Sequence, residues 1–173
     1  ALIQQTGTWA YGTEGVGSGI YDGDRLTTGQ PAFTALNQSL PAQFVYTLAP
    51  LATTDVVSDV RGDVRVTVEL SAANKWSRTI ELSPATGFEG PAAVASTTLD
   101  IGRLLALTAA VHEQTGVEFG TYRTHVTAHV HATALVNGAP LDQTLTATLP
   151  FDLTKAQLLP TGDPREPITE VTK

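Results

Sequence analysis

Apolar and polar residues alternate most regularly in the middle of the chain. Between residues 63 and 72, valine or leucine occupies every second position and other residues, mostly polar, stand between them. A period of two is typical of a β-strand with one buried and one solvated face. Residues 76–82 repeat the pattern after a turn at residues 73–75, which predicts a hairpin, and residues 83–91 are then predicted to form a loop. Two more short strands are predicted by composition, at residues 43–48 and 93–98.

The strongest local signal is a second, longer hairpin. Residues 122–136 and 139–153 both alternate, and an Asn-Gly pair stands between them at residues 137–138. This arrangement is typical of a type I′ turn, in which both central residues have positive φ. The turn places Val136 opposite Ala139, so that the residue numbers of each pair add up to 275. In this register the predicted core face pairs Val126 with Leu149, Ala128 with Ala147 and Val130 with Leu145.

The solvated face of this hairpin carries the best candidate for a metal site. His129 and His131 stand two residues apart, about 6.8 Å along the strand, a separation that two imidazoles can close on one ion. Asp142 lies diagonally across from His131 on the partner strand. One interpretation is therefore a metal site formed by His129, His131 and Asp142. The other is a solvated polar face, since three ligands are few and no second shell is visible. No other cofactor is predicted.

One amphipathic helix interrupts the predicted strands. Asp100 is a suitable N-cap, and from Ile101 apolar residues follow at the i, i+3, i+4, i+7 spacing of a buried stripe. Gly116 followed by Val117 predicts a Schellman end. About seven or eight strands with one peripheral α-helix at about residues 100–115 predict an all-β fold, an antiparallel Ig-like β-sandwich.

The first forty residues are much less regular. They are rich in glycine, which weakens strands, and short edge strands are predicted only at residues 8–11 and 19–21. Residues 31–40 are predicted as either a short helix or a strand, which Pro41 ends. The glycines that punctuate this region are Gly7, Gly12, Gly15, Gly17, Gly19, Gly23 and Gly29.

Length and composition bound the domain organisation and the partners. A chain of 173 residues is long enough for one domain with a sizeable core, predicted over residues 1–160. Residues 161–173 are polar and contain two prolines, which predicts a linker or an extended exit strand. The formal charge is −7, which argues against binding nucleic acid or an anionic membrane surface. There is no cysteine, which excludes disulfides and thiolate zinc sites. There is no methionine either, and we expect a chain that is processed or excised from a longer polypeptide.

Three short motifs have weaker functional interpretations. Residues 37–39 form a glycosylation sequon at Asn37. Residues 61–63, Arg-Gly-Asp, match the integrin-recognition tripeptide, but we expect them to begin a strand with a turn-forming glycine. Asp55, Asp59 and Asp63 recur every four residues, and a wet loop is expected there rather than a calcium site. No nucleophile elbow, Walker loop or His-Glu-x-x-His motif occurs. The tryptophans and tyrosines are expected mainly in the core.

An ordered set of motifs extends over nearly the whole chain, from about residue 8 to residue 159. The motifs are Trp9-Ala10-Tyr11, Ile20-Tyr21, Phe44-Val45-Tyr46, Lys75 to Leu82, Gly87 to Gly90, Thr98-Leu99-Asp100, Gln114-Thr115-Gly116, Tyr122 with its hairpin, and Leu149 to Leu153. The set resembles an uncharacterised family of archaeal and actinobacterial membrane proteins, domain of unknown function 5305. In that family the domain lies outside the cytoplasm between two transmembrane helices, and some members are associated with signal peptidase I-like proteins. The resemblance implies an ectodomain and no activity, and no signal-peptidase Ser/Lys dyad is matched.

Two functional interpretations follow. The leading one is a non-catalytic, extracytoplasmic structural or protein-interaction domain of a membrane-anchored protein. It implies an unknown protein partner at or outside the membrane and flanking transmembrane helices in the full-length protein. The alternative is a small-ligand or glycan-binding domain with an aromatic cleft. A contiguous exposed apolar patch would favour the first, and a concave pocket with convergent polar groups and shifted pKa values would favour the second.

Overall fold

A computed structural model describes residues 1–14, 19–73 and 75–173. Gly15 and Gly17 of the glycine-rich region and Asn74 of the predicted 73–75 turn lie outside the described residues. A single α-helix occurs in the described part of the chain, α1 (Ile101–Thr115), together with a 3₁₀ turn at Asp22–Asp24. The strands are β1 (Ile3–Tyr11), β2 (Thr13–Glu14), β3 (Arg25–Leu26), β4 (Ala32–Phe33), β5 (Ser39–Pro50), β6 (Val57–Ala72), β7 (Trp76–Glu89), β8 (Ala92–Asp100), β9 (Tyr122–Val136), β10 (Ala139–Leu153), β11 (Gln157–Pro160) and β12 (Ile168–Thr172).

Two antiparallel sheets form the sandwich. One has four strands in the order β12-β1-β5-β8, and the other has six in the order β4-β11-β10-β9-β6-β7. Strands β2 and β3 form a separate two-stranded ribbon. The prediction of an all-β antiparallel sandwich with one helix near residues 100–115 is confirmed. The two sheets contain ten of the described strands rather than seven or eight, because short strands such as β4 have too few residues to show alternation.

Side chains from the two sheets interdigitate in one core. The indole Nε1 of Trp9 on β1 donates a 3.0 Å hydrogen bond to the carbonyl of Ala147 on β10 and so links the sheets. The rings of Trp9 and Phe44 lie 5.1 Å apart. Gly7 makes room for Phe44, since a Cβ on residue 7 would lie 2.8 Å from two carbons of that ring. The largest fully buried side chains are Tyr46, Phe44, Phe151, Leu26, Leu40, Leu48, Leu70, Leu99, Ile101, Leu104, Leu149 and Leu153.

The long hairpin is confirmed in turn type and register. Asn137 and Gly138 have φ values of 50° and 83°, as a type I′ turn requires. Val136 pairs with Ala139, and the same register continues to Tyr122 and Leu153. The predicted core pairs face the other sheet and are buried: Val126 with Leu149, Ala128 with Ala147, and Val130 with Leu145.

The N-terminal third differs from its prediction. Strand β1 is nine residues long and lies between β12 and β5, whereas the sequence predicts only a short edge strand at residues 8–11. Its inward face holds Gln5. A glutamine is expected on a solvated face, but this side chain is buried and forms hydrogen bonds with Tyr46 and Thr144. Residues 19–21 contain no strand. Pro41 does not end a segment but lies within β5, where its carbonyl accepts a 3.2 Å hydrogen bond from the amide of Gly12.

Three other segments form strands: two of them are predicted as loops, and the third is predicted as a linker or an extended exit strand. Residues 83–89 continue β7, an edge strand that tolerates Pro84 because one side of it forms no ladder. Asp59 and Asp63 lie in β6, with a register shift between Ser58 and Arg61, while Asp55 precedes the strand. The tail at residues 161–173 contains β12, which pairs with β1 from Ile3 to Gly7.

Helix α1 begins as predicted and ends differently. A side-chain oxygen of Asp100 accepts a 2.9 Å hydrogen bond from the amide of Arg103, which confirms the N-cap. Gly116 has φ 72°, and its amide donates to the carbonyl of His112 in an αL end. The Schellman prediction is wrong, because the amide of Val117 donates to the hydroxyl of Thr115 and its side chain is exposed. No helix in the described residues combines the length and hydropathy needed to cross a membrane.

Candidate functional site

The predicted metal ligands lie on the outer face of the six-stranded sheet, and only two of them meet. The imidazole Nε2 of His131 lies 2.8 Å from a carboxylate oxygen of Asp142. That of His129 lies 2.9 Å from the hydroxyl of Thr67 on β6, a partner that the hairpin register does not reveal. Burial, and then the charge of Arg65, lower the pKa of His129. Within the described residues no three His, Cys, Asp or Glu side chains are grouped to hold a metal ion.

The asparagine of the sequon and the Arg-Gly-Asp tripeptide both form hydrogen bonds within the fold. Asn37 is 4% exposed, and its amide nitrogen donates to the carbonyl of Phe33 at 3.0 Å and the hydroxyl of Tyr21 at 3.3 Å. A glycan on Asn37 would replace one of the two amide hydrogens and so remove at least one of these bonds. Residues 61–63 pair with β7 on one side and β9 on the other, so they do not form a projecting loop. Gly62 lies within β6 rather than in a turn. Glycine is needed there because a Cβ would collide with the carbonyl of His131.

A groove of about 540 Å³ lies beside the helix. We call it the α1 groove. One wall is the exposed side of α1, and the other is the end of β10 with the loop that follows it. The segment after the helix completes the groove. Its lining residues are Leu105, Thr108, Ala109, His112, Glu118, Gly120, Tyr122, Leu153, Thr154, Lys155 and Ala156.

The groove arises because the sheets cover only part of the apolar stripe of α1. Ile101, Leu104 and Val111 are buried, as the spacing predicts. Leu105 and Thr108 belong to the same stripe but are only half-buried, and they line the groove. Apolar surface left open in this way costs free energy in water, in proportion to its area. Covering it with an apolar ligand would recover that free energy.

An ion pair at the edge of the groove joins the loop after β10 to the segment after α1. The ammonium of Lys155, in the loop after β10, lies 3.0 Å from a carboxylate oxygen of Glu118, in the segment after α1. The hydrogen bond from Lys155, then the charges of Lys155 and His112, lower the pKa of Glu118. Glu118 is therefore a carboxylate at neutral pH and does not serve as a proton donor. The side chains are 88% and 55% exposed, so the pair contributes little to stability.

The loop that carries Lys155 is fixed by its backbone. The amide of Thr34 donates a 2.9 Å hydrogen bond to the carbonyl of Ala156, and the hydroxyl of Thr34 donates to the carbonyl of Lys155. Thr154 closes the loop by donating its amide to the carbonyl of Gln157 at 2.9 Å. These hydrogen bonds thus hold the backbone of Lys155 in place, while its side chain remains in solvent.

Tyr122 supplies the aromatic surface of the α1 groove. Its ring packs edge-on against Phe119, at 5.9 Å between centroids, and against Trp76, at 6.1 Å. Burial, and then the charge of Glu118, raise the pKa of Tyr122. The expectation that the aromatic residues lie mainly in the core is confirmed for Trp9 and all four tyrosines, which are buried. Tyr122 is accordingly the one tyrosine, tryptophan or phenylalanine in the lining, and the groove is not a cleft of stacked rings.

Sequence patterns alone did not point to the groove. Lys155 and Glu118 are 37 residues apart in the sequence, and neither belongs to a motif. The one feature of the sequence that could indicate the groove is the apolar stripe of the helix, which includes Leu105 and Thr108 in addition to the three buried residues. No local pattern shows where the loop after β10 will lie relative to that stripe.

Comparisons with known proteins add no family. A scan against protein-family models finds no match. A search of curated proteins also finds none. One solved structure, described as the crystal structure of a protein from Archaeoglobus fulgidus, is 11% identical in sequence, covers 72% of this chain and 93% of that chain, and has a TM-score of 0.28. A TM-score this low carries no argument about fold or function.

Proposed function

We propose that the protein is a non-catalytic domain that binds a small apolar molecule in the α1 groove. The observation that carries the proposal is the groove itself, which is about 540 Å³ in volume and has a mainly apolar surface with several polar side chains in its lining. Ligand sites are commonly concave, mostly apolar and within this range of volumes. Glycan binding is less well supported, because the tyrosines are buried rather than stacked along an open surface.

The proposal is tested with an uncharged fluorescent probe, N-phenyl-1-naphthylamine, titrated with the folded domain. We expect saturable fluorescence enhancement with the wild-type protein. In ¹⁵N-labelled protein the probe should shift the amide resonances of Leu105, Gly120 and Ala156 more than those of the β9–β10 turn. No saturable binding, or shifts confined to other surfaces, would refute the proposal.

Two alanines on the helix provide a matched pair of variants. Ala109 and Ala106 are both exposed on α1, but only Ala109 lines the groove. Ala109→Phe should fill the groove and abolish probe binding, while Ala106→Phe should bind like the wild type. Equal loss in both variants would indicate damage to the helix rather than a filled site.

A second proposal concerns location: the sandwich is an extracytoplasmic, membrane-anchored interaction domain. The supporting observation is that β1 and β12 pair antiparallel, with Ile3 opposite Thr172, so that both ends of the sandwich fold lie side by side. A domain placed between two membrane helices needs this geometry, because both connections must return to one membrane surface. Exposed Leu2 and Leu51 lie at the same end and offer apolar contact surface.

The location can be tested in cells because the chain has no cysteine of its own. Ser77 is exposed, so Ser77→Cys places a reporter thiol in this domain, and the full-length gene product without the substitution is the control for thiols outside it. We expect a membrane-impermeant maleimide to label it in intact cells, and the protein to sediment with membranes. Labelling only after lysis would contradict the proposal without bearing on ligand binding.

A further inference from the structure

We propose that the ligand of the α1 groove is an amphiphile with a single carboxylate, whose apolar chain lies along Leu105 and Ala109 and whose carboxylate binds the ammonium of Lys155. This inference rests on the proposed ligand-binding function and adds the chemical class of the ligand. It is argued from the charges at the edge of the groove, since the lining itself selects only for apolar character.

The charges lining the groove are two basic groups and one acidic group. Lys155 and His112 are basic, and Glu118 is acidic. Glu118 already has Lys155 at 3.0 Å, and the charge of His112 acts on the same carboxylate. Glu118 therefore already has a cationic partner, and the ammonium of Lys155 is the group in the lining that can bind a second anion. Charge complementarity of this kind favours an anionic head group.

The ammonium of Lys155 has hydrogen-bonding capacity to spare. A lysine ammonium carries three N–H donors, and Glu118 accepts at one oxygen. The side chain is 88% exposed, so its other donors face solvent. A ligand carboxylate can accept from them without displacing Glu118, and hydrogen bonds between two charged groups are stronger than neutral ones. The fixed backbone of residues 154–156 keeps the Cα of Lys155 at the groove, next to Ala156, which is exposed and also lines it.

The test compares three ten-carbon chains that differ only in the head group: decanoate, decan-1-ol and decyltrimethylammonium. Each competes against N-phenyl-1-naphthylamine in buffer of roughly 0.1 M ionic strength, where a Debye length of about 10 Å limits the influence of distant charges. We expect decanoate to displace the probe at about tenfold lower concentration than decan-1-ol, which is the effect of one net charge-assisted hydrogen bond. Decyltrimethylammonium should be the weakest competitor.

Lys155→Gln removes the charge and keeps most of the side chain. In this variant decanoate and decan-1-ol should compete equally, while decan-1-ol is unaffected. Lys173→Gln, at the opposite end of the sandwich, is the matched control and should keep the preference for decanoate. Equal competition in the wild type, or a preference for the cation, would overturn the inference and leave ligand binding standing. Failure of the wild type to bind the probe at all would instead refute the proposed function.

Discussion

The phenol of Tyr46 donates a 2.6 Å hydrogen bond to the side-chain oxygen of Gln5 in the middle of the sandwich. The amide nitrogen of Gln5 in turn donates to the carbonyl of Thr144 on β10, at 3.3 Å. Tyr46 and Gln5 are each 1% exposed. Burial, and then the charge of Glu170, raise the pKa of Tyr46, so the phenol remains a donor across the accessible pH range. This polar connection joins the two sheets through the core, as the hydrogen bond from Trp9 to Ala147 also does.

Removal of this phenol should destabilise the fold. Tyr46→Phe leaves the buried oxygen of Gln5 without its donor, and an unsatisfied buried acceptor costs about 1–3 kcal/mol. The free energy of unfolding, measured by urea denaturation, should fall by this amount. The double variant Tyr46→Phe with Gln5→Leu serves as the control, because removing both polar groups should cost less than the sum of the two single changes. Additive losses would show that the two side chains act independently.

The part of the fold that the sequence predicts best is the hairpin of β9 and β10. Its register depends only on local features, namely the Asn-Gly turn at residues 137–138 and alternation on both sides of it. Strand β1 was not predicted at its full length, because Gln5 and Gly7 lie on its inward face. Their places there are explained by Tyr46 and Phe44, which come some forty residues later in the sequence.

The candidate site was harder to predict than the fold. The pairing of His131 with Asp142 follows from the hairpin register, and it was expected as a diagonal contact. The partner of His129 was missed, because Thr67 becomes its neighbour only when β6 pairs with β9. The α1 groove depends on three segments that meet only in the folded chain: the helix, the segment after it and the loop after β10.

A Cβ at Gly138 should weaken the long hairpin. Gly138 has φ 83°, a conformation that costs an L-residue roughly 1–2 kcal/mol. Gly138→Ala should lower the free energy of unfolding by about this amount, as measured by urea denaturation. Gly87→Ala is the matched control, because Gly87 does not have positive φ and a Cβ there meets its nearest atom at 3.7 Å. Equal effects of the two substitutions would contradict the assignment of strain to the turn.

His129 should make stability depend on pH. Burial, and then Arg65, lower its pKa below the ordinary value of 6.5, so the unfolded chain binds the proton more tightly than the folded one. The contribution of neutral His129 is therefore fully present above pH 6.5 and is lost as the pH falls through its folded pKa. His129→Gln should flatten the fall in unfolding free energy between pH 7 and pH 5, whereas His125→Gln, on the same face, serves as the comparison. An unchanged slope in His129→Gln would assign the pH dependence to other groups.

The ion pair between Glu118 and Lys155 should contribute almost nothing to folding, even though it joins the walls of the α1 groove. Both side chains are largely exposed, and exposed ion pairs lose most of their Coulomb energy to water and salt. Glu118→Gln and Lys155→Gln should each leave the thermal midpoint nearly unchanged, at low and at high salt, in scanning calorimetry. A fall in the thermal midpoint as large as the one measured for Tyr46→Phe in the same experiment would mean that the pair holds the segment after α1 in place. Unchanged midpoints would mean that a change in decanoate binding by Lys155→Gln reports on the ligand and not on the fold.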